Sequence, residues 1–520
     1  MSEVELKLLL DRQQVPAVLA RIDELPSQAC TKHASRLLRS IYFDTAARDL
    51  RKNGISLRLR RDGKRWLQTV KLNGTIAGGL SKVSEFERPV PSGQVSIDAI
   101  EDADVRERLR KLISDRPLKT IAETHINRTQ IDLSLDDGAK AELAVDSGAI
   151  KAAGRSENLH ELEIELVEGA PADLYRTARM VLPKGSLRFS RFSKAARSVL
   201  LAEQGHIEPP ATPRRAETVP LKPGYATGEA ARAMLHECLS QIAANIEAVQ
   251  QCDDPEGPHQ LRIGLRRLRS ALALLAHEIA SPEEAAPGLS EEARWLGREV
   301  GRLRDLDVVL NDIARPYFAL DGHAHGAAPV LGTLERHAKE IRNDLRQILC
   351  GERVGDFLLS LSEFIETARW KDDHRKKRER RRLTDFAGKI LDRRWAHVLT
   401  KAKGIERFDQ EQKHALRKEL KKLRYTIEFL GPLFPKRDVK RVTERLKTLQ
   451  TVFGSLNDAT VVEAVLSKPP LSSINDLAAQ RAIGRLLGAC ETRVTYDWTT
   501  AQAHWKALKT CHLFWKRKHK

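Results

Sequence analysis

The first residues able to do chemistry are Glu3, Glu5 and Lys7, set at alternate positions with Val4 and Leu6 between them. In an extended strand alternate side chains share a face, so two carboxylates and an ammonium point the same way. The arrangement returns downstream. Arg58 and Arg60 share one face of Ser-Leu-Arg-Leu-Arg, and Glu85 and Glu87 share one face of Ser-Glu-Phe-Glu. Glu161, Glu163 and Glu165 share one face of His-Glu-Leu-Glu-Ile-Glu-Leu. Strand after strand with one charged face, in both signs, predicts a polar cavity. Carboxylates are hard oxygen ligands suited to Mg2+ or Mn2+. Guanidinium forks and ammonium groups suit phosphate oxygens. The pairing of the two points to metal-assisted chemistry on a polyphosphate.

Those residues need a frame. Strands are predicted at 4–9, 36–44, 55–62, 65–72, 83–89, 125–135, 140–150 and 161–167. Helices are predicted at 15–25, 100–113 and 172–181, with another beginning near Ser193. Eight short strands joined by turn signals imply a closed antiparallel barrel over residues 1–202, which leaves no free edge. Residues 203–224, around Glu-Pro-Pro-Ala-Thr-Pro, read as a linker. Residues 225–513 are rich in Leu, Ala, Arg and Glu at helical periodicity, and residues 514–520 form a basic tail. The fold class is α+β: an eight-stranded antiparallel β-barrel tunnel followed by an all-α, two-fold repeated helical bundle.

The repeat carries chemistry of its own. His259, Arg262, Arg266 and Arg269 are spaced to fall on one helix face. The pattern returns as His414, Arg417, Lys421 and Arg424, with Arg267 and Lys422 at matching places beside them. A second motif follows each copy, Gly301-Arg-Leu-Arg-Asp305 and Gly454-Ser-Leu-Asn-Asp458. Asp305 and Asp458 read as helix caps beside glycine turns, with metal ligation as the alternative. Two like-charged helix faces in one bundle repel unless an anion lies between them. The histidines read as phosphate-facing or helix-packing groups. The basic run within 371–382 reads as a solvated segment, with polyanion binding as an additional reading.

Composition bounds the partners. Lys and Arg number 89 against 71 Asp and Glu, a net charge of +18 that calls for an anionic partner. Aromatic residues make up 5%, few for base-stacking platforms, and no nucleic-acid motif is recognisable, so nucleic acid is disfavoured. Six cysteines are scattered without paired spacing, as in a reducing compartment. Neither a signal peptide nor an apolar run long enough for a membrane span is visible. The expectation is a cytoplasmic protein with no membrane partner, and polyphosphate-granule association is a further possibility.

Glu3-Val-Glu-Leu-Lys7 resembles the ExExK signature of the CYTH superfamily, the triphosphate tunnel metalloenzymes, and the resemblance extends over residues 1–202. It implies basic tunnel positions at Lys7, Arg58, Arg60, Lys71, Arg128 and Lys194. It implies acidic positions at Glu3, Glu5, Glu85, Glu87, Glu142, Asp146, Glu163 and Glu165, with Glu161 sharing their face but matching less securely. The implied activity is hydrolysis of inorganic triphosphate by direct attack of water, with Mg2+ or Mn2+ on Glu3, Glu5, Glu163 and Glu165. Thiamine or nucleoside triphosphates, cyclisation of ATP, and a non-catalytic polyphosphate-binding role are the alternatives. Residues 225–513 resemble the CHAD (conserved histidine α-helical) domain. That resemblance implies inorganic polyphosphate binding by His259, Arg262, Arg266, Arg267, Arg269, His414, Arg417, Lys421, Lys422 and Arg424.

Overall fold

The computed structural model describes residues 2–276 except Ser27, Ser92 and Ser186, residues 286–368 except Asp321, and residues 383–516. The basic run within 371–382 and the last four residues of the basic tail lie outside the described residues.

The strands are β1 (Ser2–Leu9), β2 (Cys30–Lys32), β3 (Arg36–Thr45), β4 (Ile55–Asp62) and β5 (Arg65–Ala77). They continue as β6 (Leu80–Val90), β7 (Leu118–Ser134), β8 (Lys140–Ala152), β9 (Arg155–Glu168) and β10 (Arg188–Phe189). Eight of them run antiparallel in the order β1-β6-β5-β4-β3-β7-β8-β9, and β9 pairs back onto β1 to close the barrel. The short β2 and β10 add to β7 and β1. β7 begins well before residue 125 because its first residues pair with the end of β3 beyond an irregularity at Tyr42/Phe43.

Helices α1 (Gln14–Asp23), α2 (Asp49–Lys52), α3 (Ala103–Ile113), α4 (Pro171–Val181) and α5 (Lys194–Gln204) accompany the strands. After them come α6 (Thr227–Gln251), α7 (Glu256–Leu275), α8 (Ala286–Asp307), α9 (Arg315–Phe318) and α10 (Ala327–Leu349). The chain continues with α11 (Glu352–Thr367), α12 (Leu383–Lys401), α13 (Gln410–Leu430), α14 (Lys436–Leu466) and α15 (Leu477–Lys509). None of the described helices is long and apolar enough to cross a membrane.

Two compact units result: Met1–Ala211 with Cys350–Thr367, and Thr212–Leu349 with Ala368–Lys520. In the first, α3 covers β4 and β5 through Val105, Leu109 and Ile113 against Leu57, Val70 and Leu72. Its one late segment is α11, which lies on α4. The Tyr175 and Ser362 hydroxyls are 3.0 Å apart, Arg179 pairs with Glu363 at 2.6 Å, and Ser362 donates to the Gly78 carbonyl. Residues 203–224 contain no strand or helix beyond Gln204 but are tied down. Ile207 is buried against the barrel, while in the second unit Arg214 pairs with Glu237 and its backbone N–H donates to Asn245.

Candidate active site

Cross-strand register decides what lines the barrel. Glu5 lies opposite Glu165 and Lys7 opposite Glu163. Glu142 lies opposite Glu165, Asp146 opposite Glu161, and Arg128 opposite Asp146. On the other wall Lys71 pairs with Glu85, Thr69 with Glu87, and Arg58 with both Thr69 and Tyr42. Directly paired residues project from the same face. The predicted tunnel residues on strands therefore share one interior, and Lys194 joins them from the first turn of α5. The Ser193 hydroxyl caps that helix by accepting from the Ala196 N–H at 3.2 Å, which fixes where Lys194 emerges.

Three zones of charge result. The first is a compensated network. Lys7 bonds Glu163 at 2.6 Å and Glu5 at 2.8 Å, and Lys194 reaches Asp146, Glu161 and Glu163 at 2.8–2.9 Å. Arg128 grips Asp146 with two hydrogen bonds and adds a third to Glu163. Against its own burial, the Glu163 carboxyl is held well below the usual range by Lys194, Lys7 and Arg128. Asp146 is likewise held low by Lys194 and Arg128. Glu163 and Asp146, expected among the metal ligands, have cations at their oxygens in this structure, since register sets Glu163 opposite Lys7 and Asp146 opposite Arg128.

The second zone is acidic. Glu3, Glu5, Glu85, Glu142 and Glu165 come from β1, β6, β8 and β9, and Lys71 pairs with Glu3 at 2.8 Å and Glu85 at 2.6 Å. Burial, a hydrogen bond shared with Glu85 and the charge of Glu5 push Glu3 up to about 8. Burial, then the charges of Glu142 and Glu5, push Glu165 up to about 7. Burial also raises Glu142. Glu85 is held at about 2, against its burial, by the Glu3 hydrogen bond and the charges of Lys71 and Arg58. Among the described residues, no three acids, histidines or cysteines form a ready-made metal cage. The donor chemistry nevertheless fits a hard divalent cation: facing carboxylates with too little positive charge retain protons that such a cation would displace.

The third zone is basic. Arg58 makes long contacts of 3.4 Å to Glu85 and 3.8 Å to Glu87, and Glu87 also accepts from Thr69. The Arg60 side chain has neither hydrogen bond nor ion pair among the described residues, and its buried Nε is unsatisfied. Burial and the neighbouring Arg58 and Arg128 charges draw Arg60 down to about 10. Surplus cation at a fixed place is an anion site. Beyond it, inward-facing Leu9, Tyr42, Ala122, Ile150 and Leu159 pack with Leu201 of α5 into an apolar floor.

In the helical unit, Arg262 and Arg266 of α7 act on Arg417 and Lys421 of α13, with Arg424 one turn further on. Arg269 instead lies by Arg294 and Glu291. Arg267 is buried, donating to Gln241 at 2.7 Å over the Phe429 ring, and Lys422 is exposed beside Glu419; neither joins the cluster. His259 is half-buried and His414 exposed. Asp305 and Asp458 cap nothing, since both lie inside α8 and α14, as do Gly301 and Gly454. Asp305 pairs with Arg262 at 2.6 Å, and a Cβ on Gly301 would touch that guanidinium at 3.4 Å. Asp458 feels Arg417 most strongly after its own burial.

Sequence reasoning missed Tyr42, whose phenol lies by the Arg58 and Arg60 charges, and Arg197, fully buried and paired with Glu208 at 2.8 Å. Tyr42 shares parity with Ser40, opposite Arg60, a signal readable only once register is known. Nothing in the sequence marks Arg197 as buried.

Comparison with known proteins matches residues 1–199 to the CYTH domain and residues 233–467 to the CHAD domain. An uncharacterized protein of Mycobacterium tuberculosis is 25% identical over 472 residues, spanning 86% of this chain and 83% of its own. An inorganic triphosphatase of Haemophilus influenzae is 28% identical over 212 residues, 39% of this chain and 56% of that protein. The crystal structure of the CHAD domain from the plant Ricinus communis is similar at 28% identity and a TM-score of 0.50. It covers 58% of this chain and 98% of that one.

Proposed function

For this chain, which belongs to the CYTH family in its first half and the CHAD family in its second, we propose metal-dependent hydrolysis of inorganic triphosphate in the barrel. The helical unit is the seat of inorganic polyphosphate binding. The observation that carries the first reading is Arg60, an arginine without a protein partner among the described residues, set beside Arg58 and Arg128 across from an acidic wall. The similarity to an inorganic triphosphatase supports it.

The division of labour follows from the zones. Arg58, Arg60 and Arg128 fork onto phosphate oxygens, with Lys7, Lys71 and Lys194 able to add ammonium contacts. Glu3, Glu5 and Glu165, with Glu85 and Glu142 beside them, would hold Mg2+ or Mn2+. When bound, that ion neutralises charge growing on the phosphate oxygens. Water adds to the terminal phosphorus, the bond to the bridging oxygen breaks, and the water's proton leaves on the phosphate products. The network around Glu163 keeps Lys7, Lys194 and Arg128 fixed, so the phosphates meet a preorganised field.

Phosphate release from tripolyphosphate, ATP and thiamine triphosphate, with and without Mg2+ or Mn2+, tests this. Metal-dependent turnover of tripolyphosphate, lost in Glu5→Gln and reduced roughly 100-fold or more in Arg60→Ala, is the expected result. Turnover indifferent to both substitutions would overturn the assignment.

A further inference from the structure

The second copy of the helical motif replaces two arginines by lysines, and one of them, Lys421, sits where it matters. Lys421 lies between α7 and α13, half-buried, with neither hydrogen bond nor ion pair among the described residues. Arg262 and Arg266 face it from α7, and Arg417 and Arg424 flank it on its own helix. His414, also on α13, feels its charge. The nearby carboxylates are engaged elsewhere: Asp305 with Arg262, Glu428 with Arg424 and Glu419 with Lys422. From α14, Asp458 acts on it but is weighted toward Arg417. The 431–433 turn against α13 is Gly-Pro-Leu and uncharged, and the residues α12 buries are apolar. We propose that this cluster is proton-coupled: a phosphate chain lodging between α7 and α13 draws one proton onto Lys421, so polyanion grip tightens as pH falls.

The proposal rests on the polyphosphate-binding reading of the helical unit and deepens it. Arginine cannot lose its proton in this range, whereas lysine yields one when desolvated among cations. Burial, then the four arginines, brings the Lys421 ammonium down to about 6 in the anion-free protein. An anion reverses the balance, because each phosphate oxygen favours the charged form. Burial and neighbouring cations also hold His259 and His414 below their ordinary value, so the comparison with Lys421→Arg, which keeps both histidines, separates the lysine's proton from theirs.

The test is calorimetric titration of the full-length protein with long-chain inorganic polyphosphate in EDTA, in two buffers of different ionisation enthalpy, for wild type and Lys421→Arg. Wild type is expected to take up close to one proton at pH 7.5 beyond what Lys421→Arg takes up. Its affinity should rise by up to about tenfold per pH unit from pH 8 to 7 relative to that variant. Equal proton uptake and equal pH slopes in the two proteins would overturn the coupling while leaving polyphosphate binding intact. Absence of binding in both would overturn the polyphosphate reading itself, and the inference with it.

Discussion

At the scale of single residues, the barrel interior is a contest over carboxylates. Glu163 contacts three cations, so its loss leaves Lys7, Lys194 and Arg128 under-compensated in a buried site. Glu163→Gln should lower stability by about 3–5 kcal/mol, read as a fall in the denaturant midpoint without metal. Glu3 and Glu165 behave in the opposite sense. Their folded-state values of about 8 and about 7 lie above the ordinary carboxylate value, so ionising them opposes folding. Their contribution to the stability of the metal-free protein should thus fall as pH rises from about 4.5 to 8, and Glu3→Gln, compared with wild type in thermal melts with EDTA, should remove its share of that fall. Below this range Glu163 and Asp146, held low by their partners, lose their contribution as they protonate. The charged faces were legible because Glu3, Glu5, Lys7, Arg58 and Arg60 break the usual apolar-in, polar-out alternation. Which carboxylates face cationic side chains and which crowd one another was not, since that depends on register between strands far apart in the chain.

At the scale of elements, α5 and α11 do what no strand can. Ser193 starts α5 so that Lys194 falls at the charged network and Leu201 at the floor. Ser193→Ala should cost about 1 kcal/mol of stability and reduce tripolyphosphate turnover more than a surface cap would, since Lys194 shifts with the helix start. The α11 contact is testable by Tyr175→Phe, which removes one buried hydroxyl partner of Ser362 and should cost about 1 kcal/mol. The place of α11 beside α4 could not be read ahead, because Val354, Phe357, Leu361 and Ile365 repeat as they would in any bundle helix. Likewise Gly301 and Gly454 read as turns, the ordinary meaning of glycine near an aspartate. In α8, Gly301 sits in mid-helix against the guanidinium of Arg262.

At the scale of the whole molecule, a net charge of +18 is distributed unevenly. In the barrel unit, most cations that matter have acids beside them, and Arg60, next to Arg58 and Arg128, is left without an ion pair among the described residues. In the helical unit, α7 and α13 set like charges against each other, a cost that the proposed polyphosphate ligand would offset. Polyphosphate affinity should therefore fall steeply with added salt through counterion release, and Arg262→Ala with Arg417→Ala should reduce the log–log slope by about two. The apolar floor beneath the barrel's arginines carries a consequence for traffic. A linear chain cannot be threaded through a shaft that is stopped at one end; it can offer only its terminus, and the severed piece must leave by the mouth through which it entered. On the proposed reading the barrel would nibble at ends, so phosphate release from a linear chain, with the middle of a long chain untouched and a ring without ends left intact, is the expected outcome.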